Sequence, residues 1–191
     1  GYLQLGNPGA LSGTAAPSAT ANEPAHSATR EQMESLVERL SARMQQTPED
    51  AAGWMLLGRS LSVLGRYDRA AEAYARAARL SPKDAGLLAD YADTLGMAQG
   101  RKLEGEPFAI VKRALAIDPE HVKALALAGS AEFERRNYAA AIGYWERLLK
   151  VAPPQSEFAR SVAESIAEAR ALQKGNQSLQ GIVSIEPALA A

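Results

Sequence analysis

The chain has 191 residues, 47% of them hydrophobic, a net charge of −1 and no cysteine. Near-neutral charge leaves no electrostatic footprint for nucleic acid, and the missing cysteines exclude disulfides, thiolate metal sites and cysteine nucleophiles. No run approaches the roughly 18 apolar residues of a membrane span, and much of the hydrophobic content is alanine, which suits closely packed helices.

The opening residues, Gly1 to Leu5, fit the exit of a preceding membrane helix, where Tyr is enriched, and fit a chain boundary equally well. With no initiator Met and no signal peptide, the chain is expected to be an excerpt from a longer protein. Gly6 to Ser27 is rich in Gly, Ala, Pro, Ser and Thr and has no apolar period, so residues 1–27 are expected to form a flexible linker. Ser27 or Thr29, with Glu31 and Gln32 close behind, reads as a capping box. Met33, Leu36, Val37, Leu40 and Met44 then form one apolar stripe, which predicts a helix over 28–46 acting as an N-terminal cap.

From Ala51 the pattern becomes a helical hairpin. Trp54, Leu57, Gly58 and Leu61 mark a first helix, Leu64-Gly65-Arg66 a turn, and Tyr67, Ala70, Tyr74 and Ala77 a second helix, with Pro82 closing. W-x2-L-G, a later A-x3-aromatic and a closing Pro form the tetratricopeptide pattern, and such a unit must stack on copies of itself to bury its apolar face. The copies are present. Leu125, Ala128, Gly129, Tyr138, Ala141, Trp145 and Leu148 stand at the offsets of Trp54, Leu57, Gly58, Tyr67, Ala70, Tyr74 and Ala77. Between them, Leu88, Tyr91, Ala92 and Leu95 and then Val111 and Ala114 mark a middle unit. The distance from Pro82 to Pro119 is 37 residues, against 34 from Pro119 to Pro153, so about three extra residues belong to its turn, within Gln99 to Glu106.

The repeats are therefore placed at about 51–84, 85–121 and 122–154. Each proline ends a helix, having no N–H and a ring that clashes with the preceding turn. An amphipathic stretch over 156–172, with Phe158, Val162, Ile166 and Ala169 on one face, supplies the polar-backed C-terminal cap that a repeat array needs. The expected architecture is all-α, a tetratricopeptide-repeat solenoid of three helical hairpins with N- and C-terminal capping helices in a right-handed superhelix, the domain spanning 28–173. Residues 174–191 read as a tail. Its partial alternation from Ser178 to Pro187 suggests either an unstructured end or, the favoured reading, the first strand of a further domain.

Chemistry is hard to place on this chain. His26 and His121 have no second ligand at metal spacing, so His121 is expected to cap its helix or face solvent. No C-x-x-C-H, H-E-x-x-H or G-x-S-x-G occurs, and Gly100 to Gly105 lacks phosphate-loop spacing. Neither an enzymatic activity nor a cofactor or metal is expected.

Function must then come from the concave groove that stacked hairpins create, lined by the first helix of each pair. Projecting one face of those helices selects Met55, Arg59 and Ser62, then Ala89, Asp93 and Met97, then Lys123, Ala126, Ser130 and Phe133. Ala89 and Ala126 leave room and the Met and Phe side chains offer adaptable apolar contact, a combination suited to an amphipathic helix or a short peptide. The alternative is that Met and Phe here pack against a neighbouring helix.

The third unit has a more particular wording. Residues 118–129 (Asp-Pro-Glu-His-Val-Lys-Ala-Leu-Ala-Leu-Ala-Gly), 137–149 (Asn-Tyr-Ala-Ala-Ala-Ile-Gly-Tyr-Trp-Glu-Arg-Leu-Leu) and 153–157, with Ile166 to Arg170 and the long turn from Ala98, resemble the cytochrome c maturation proteins called CcmI or CycH and the related NrfG. The resemblance covers about Met33 to Leu172. Tyr2 to Pro8 looks like the segment after their last membrane helix, and Val183 to Ala191 is similar to the start of the C-terminal domain of longer members. The resemblance implies a periplasmic module that captures apocytochrome c, largely through the client's C-terminal helix, and presents it to the haem ligation complex and other maturation components. It also implies inner-membrane anchoring by segments outside this chain. The competing reading is a generic repeat scaffold for an envelope assembly.

Overall fold

The fold is that of a computed structural model, which describes the backbone of residues 23–189 and the side chains of residues 29–178. The described residues form eight helices: α1 Glu23–Gln46, α2 Ala51–Val63, α3 Tyr67–Leu80, α4 Ala85–Ala98, α5 Glu106–Ile117, α6 Val122–Glu134, α7 Tyr138–Val151 and α8 Glu157–Leu189. Helices α2/α3, α4/α5 and α6/α7 are the three hairpins, α1 packs on α2, and α8 packs on α7. The first helices of the pairs approach one another, since α4 also touches α6 directly. They make the inner layer, and α3, α5 and α7 the outer.

Each inner helix starts on a side-chain cap placed two residues after a proline. Asp50 accepts from Gly53 N at 2.9 Å, Asp84 from Leu87 N at 2.9 Å, and His121 Nδ1 from Ala124 N at 3.2 Å. Ser156 Oγ does the same for Ala159 N at 3.0 Å ahead of α8. These acceptors satisfy N–H groups that the first helical turn leaves without a partner. At the hairpin turns the chain reverses through a positive φ, at Gly65 in the first unit (72°) and at Arg136 in the third (60°). The middle turn is longer and folds back on α4: Lys102 N donates to Gly96 O at 3.2 Å, and Leu103 is buried.

The core forms three clusters along the array. Val37, Leu40 and Met44 of α1 pack with Leu57, Leu61 and Ala70. A central cluster joins α3 to α6 around Tyr74, Leu88, Ile110 and Val111. Leu125, Trp145 and Leu148 meet Val162, Ile166 and Ala169 of α8 in the third. Trp54, half-buried, donates its indole N–H to Pro48 O at 2.9 Å and carries the Arg76 guanidinium over its ring at 5.1 Å.

Two boundaries differ from the sequence reading. Helix α1 begins at Glu23, not at Ala28, so residues 23–27 are not linker. Pro24 stands in its first turn, where a missing N–H costs nothing. Residues 1–22 lie outside the described residues. The strand expected over 178–187 is absent, because α8 continues to Leu189. A lone strand leaves its N–H and C=O groups unpaired, whereas a helix pairs them within itself.

Candidate functional site

Polar side chains from successive inner helices meet on the inner surface. Asp90 and Asp93, one turn apart on α4, point toward α6, and Lys123 from the first turn of α6 reaches back to both. Its Nζ lies 2.8 Å from Asp90 Oδ1 and 2.8 Å from Asp93 Oδ2. Burial by itself would lower the Lys123 pKa, but the hydrogen bonds and charges of the two carboxylates outweigh it and hold the ammonium above its ordinary value. From the same face of α4, Thr94 Oγ1 lies 3.4 Å from Ser62 Oγ of α2. Tyr74 of α3 closes the floor at 3% exposure, with Arg59 beside it in the lining. Burial, reinforced by Asp90, raises the Tyr74 pKa against the opposing pull of Arg59 and Lys123.

These groups border a hollow of about 400 Å³. A second hollow of about 290 Å³ continues from it, sharing Asp93 and Met97 and adding Gly96, Leu103 and Leu127, with Arg101 at its margin. The result is a groove lined by α2, α3, α4 and α6 that is charged around Arg59, Asp90, Asp93 and Lys123 and mainly apolar beyond Met97. Arg59 has no carboxylate partner among the described ion pairs, while Lys123 is shared by two aspartates. The groove thus carries a positive group and a net negative one side by side. Among the described residues, no group of three or more His, Asp or Glu could hold a metal ion.

Of the ten residues projected from the sequence, Arg59, Ser62, Asp93, Met97 and Lys123 line this groove. The others do not. Met55 is half-buried against the central cluster, and Ala89, at 0% exposure, is within it. Ala126 and Phe133 pack on the third cluster, Phe133 edge-on to Tyr138 with centroids 5.4 Å apart and 5.7 Å from Trp145. Ser130, half-buried, lies outside both hollows. The reason is angular. On α4 the groove takes positions 90, 93, 94, 96 and 97 rather than 89, 93 and 97, and on α6 it takes 123 and 127 rather than 123, 126, 130 and 133.

Asp90, Thr94, Tyr67 and Tyr74 were missed by the projection. A signal for the first two was present, because Asp90, Asp93 and Thr94 are polar at i, i+3 and i+4 of an otherwise apolar helix. Tyr67 and Tyr74 come from the outer helix α3 and read as packing residues in the repeat pattern.

Comparison with known proteins places this geometry. CycH of Pseudomonas aeruginosa, a cytochrome c-type biogenesis protein, is 38% identical over 138 residues, covering 72% of this chain and 34% of that protein. The biogenesis protein CcmH of Escherichia coli K12 is 30% identical over 142 residues, covering 73% of this chain and 40% of that protein. The chain therefore spans about a third to two fifths of the length of these relatives. NrfG, a subunit of the formate-dependent nitrite reductase complex of Escherichia coli O157:H7, is 29% identical over 153 residues, covering 80% of this chain and 77% of NrfG. Among solved structures, MamA superimposes with a TM-score of 0.61 at 15% identity, covering 78% of this chain and 84% of MamA. The first TPR domain of human RPAP3 gives 0.58 at 21% identity, covering 67% of this chain and 98% of that domain. The family described as the cytochrome c-type biogenesis protein H TPR domain matches residues 16–159, and with the three capped hairpins spanning that stretch, the chain belongs to this family.

Proposed function

We infer that this domain holds the apoprotein client of a cytochrome c-type biogenesis protein: its inner groove takes the C-terminal helix of apocytochrome c. The domain acts on the periplasmic side of the inner membrane, anchored by segments outside this chain, and passes the client to the haem ligation components. Its contribution is binding, with no chemical step of its own. The observation that carries this reading is the change of character along the groove, from Arg59 and the Asp90, Lys123 and Asp93 group to the apolar hollow at Met97, Leu103 and Leu127. An amphipathic helix presents those two characters on adjacent faces.

The test is titration of the domain with a fluorescein-labelled peptide of an apocytochrome c C-terminal helix, read by anisotropy. Binding at micromolar peptide is expected. Met97→Glu should weaken it about tenfold or more, since a charge in the apolar hollow goes unpaired, with helicity by circular dichroism unchanged. No binding below about 1 mM, a free energy weaker than roughly −4 kcal/mol, sinks the reading. Equal binding of an unrelated amphipathic helix points instead to a general scaffold.

A further inference from the structure

The outer layer differs in charge from the inner. Helices α3, α5 and α7 each carry one more cation than anion, while α2, α4 and α6 together carry four carboxylates against Arg59 and Lys123. The outer cations also follow the repeat: Arg76, Arg113 and Arg147 each stand six residues before a closing proline, at Pro82, Pro119 and Pro153. Among the described residues none of these three, nor Arg79, Lys112 or Lys150, forms an ion pair. The bridging cations are Arg30, Arg43, Arg66, Lys123, Arg135 and Arg170.

Between successive outer elements lie two clefts of one design. The first, about 230 Å³ between α1 and α3, has Ser41, Gln45, Leu57, Arg69, Ala73 and Arg76 in its walls. The second, about 410 Å³ between α3 and α5, has Ala75, Arg79, Tyr91, Glu106, Ile110 and Arg113. Each of the second set follows its counterpart by 34 or 37 positions, the two repeat spacings of the chain. Each cleft has buried apolar side chains in its floor, Leu57, Leu61 and Ala73 in the first, whose lining is otherwise largely polar, and Ala78 and Ile110 in the second, and each rim carries two arginines to one glutamate: Arg69 and Arg76 with Glu72, Arg79 and Arg113 with Glu106. In the first cleft Ser41 stands in the wall where Ala75 stands in the second. In the second, Arg79, Arg113 and Glu106 all bear on the Tyr91 hydroxyl.

We propose that this outer face is a second binding surface, separate from the inner groove, for an acidic polypeptide segment that places one apolar side chain and one carboxylate at each cleft. The net single positive charge of each rim matches one carboxylate, and a guanidinium recognises it through paired N–H donors. Separate clefts with apolar floors fit side chains projecting from a polypeptide. A lipid headgroup surface offers nothing to fill those floors, and the glutamate in each rim stands against a continuous line of phosphates.

The probe is a fluorescein-labelled 20-residue peptide of repeating Glu-Phe-Glu-Ser, with its Lys-Phe-Lys-Ser counterpart and phosphatidylglycerol vesicles as comparisons. The acidic peptide should bind, the basic one should not, and binding should fall steeply as salt is raised. Arg79→Glu with Arg113→Glu should weaken it about tenfold or more while leaving the apocytochrome peptide bound as before. If that double variant loses helicity, Arg79→Gln with Arg113→Gln serves in its place. Equal affinity for the two peptides, indifference to these substitutions, or displacement of the acidic peptide by the apocytochrome peptide overturns the proposal. Sedimentation with the vesicles while the acidic peptide stays free replaces it with a lipid surface.

Discussion

At Gly129 a Cβ would overlap the indole of Trp145, and at Gly58 it would come within 2.9 Å of the Tyr74 ring. The two pairs are the same contact 71 positions apart, an aromatic side chain of the outer helix resting directly on the backbone of the inner one. In the middle unit Val111 and Ala92 stand there, a smaller side chain facing a larger one, and both are fully buried. Gly129→Ala is expected to destabilise the fold by about 1–2 kcal/mol, overpacking outweighing the roughly 1 kcal/mol gain in helix propensity, measured by urea unfolding. The Asp90, Lys123 and Asp93 group gives a second expectation. Lys123 is held above its ordinary 10.5, so its contribution is complete below that pH and is lost as pH rises through the higher folded value. Tyr74, raised from 10.0 chiefly by burial, acts with the same sign. Stability should fall above about pH 10 and less steeply in Lys123→Met. With the side chain 41% exposed, that substitution should cost only about 0.5–1 kcal/mol at pH 7 after solvent screening. Half of the projected groove residues were legible in the sequence. A one-residue step on a helix turns a side chain by about 100°, which separates Ala89 from Asp90 and Ala126 from Leu127, while Met55 and Phe133 pack on core clusters, the alternative the sequence also offered.

Among the elements, the proline-to-cap spacing was the most legible feature, since Pro48, Pro82 and Pro119 each stand two residues before an acceptor that the structure shows bonded. His121 has its place in that series. It does for α6 what Asp50 and Asp84 do for α2 and α4. His121→Ala should cost about 1 kcal/mol, while His121→Asp should match or exceed the native stability, both read as shifts in thermal midpoint. The outer helices offer no such signal, because Arg66, Gly105 and Asn137 make no side-chain cap. Where punctuation fades the sequence misleads. Ser27 and Thr29 resembled a start signal although α1 begins at Glu23. The β-branched residues near Val183 resembled a strand although no second strand exists among the described residues for it to pair with.

For the whole array, three clusters in series mean that stability is a sum of neighbouring contacts rather than the property of one core. Ile166→Asp places a charge among Leu125, Trp145 and Leu148. It should cost about 3 kcal/mol locally and remove hydrogen-exchange protection from α7 and α8 first. Protection in α2 to α5 should persist, and simultaneous loss everywhere would contradict a serial architecture. The order of the repeats was legible because closing prolines and matched offsets are local marks. The tilt of each hairpin against the next was not, since it arises from contacts between units. One such contact gives the array a mechanical character. The lengthened turn of the middle hairpin donates Leu103 N to Glu134 Oε2, at the far end of α6, at 3.1 Å, while Lys123 ties the near end of α6 to α4. Those two hairpins are pinned at both ends, whereas Ser62 and Thr94 join α2 to α4 by one long hydrogen bond. The second and third hairpins are thus held in register by polar ties at both ends of α6, and the first and second chiefly by Tyr74, Ala77 and Ala78 of α3 packed on α4 and α5, so the two joints of the array differ in the kind of contact that sets their angle.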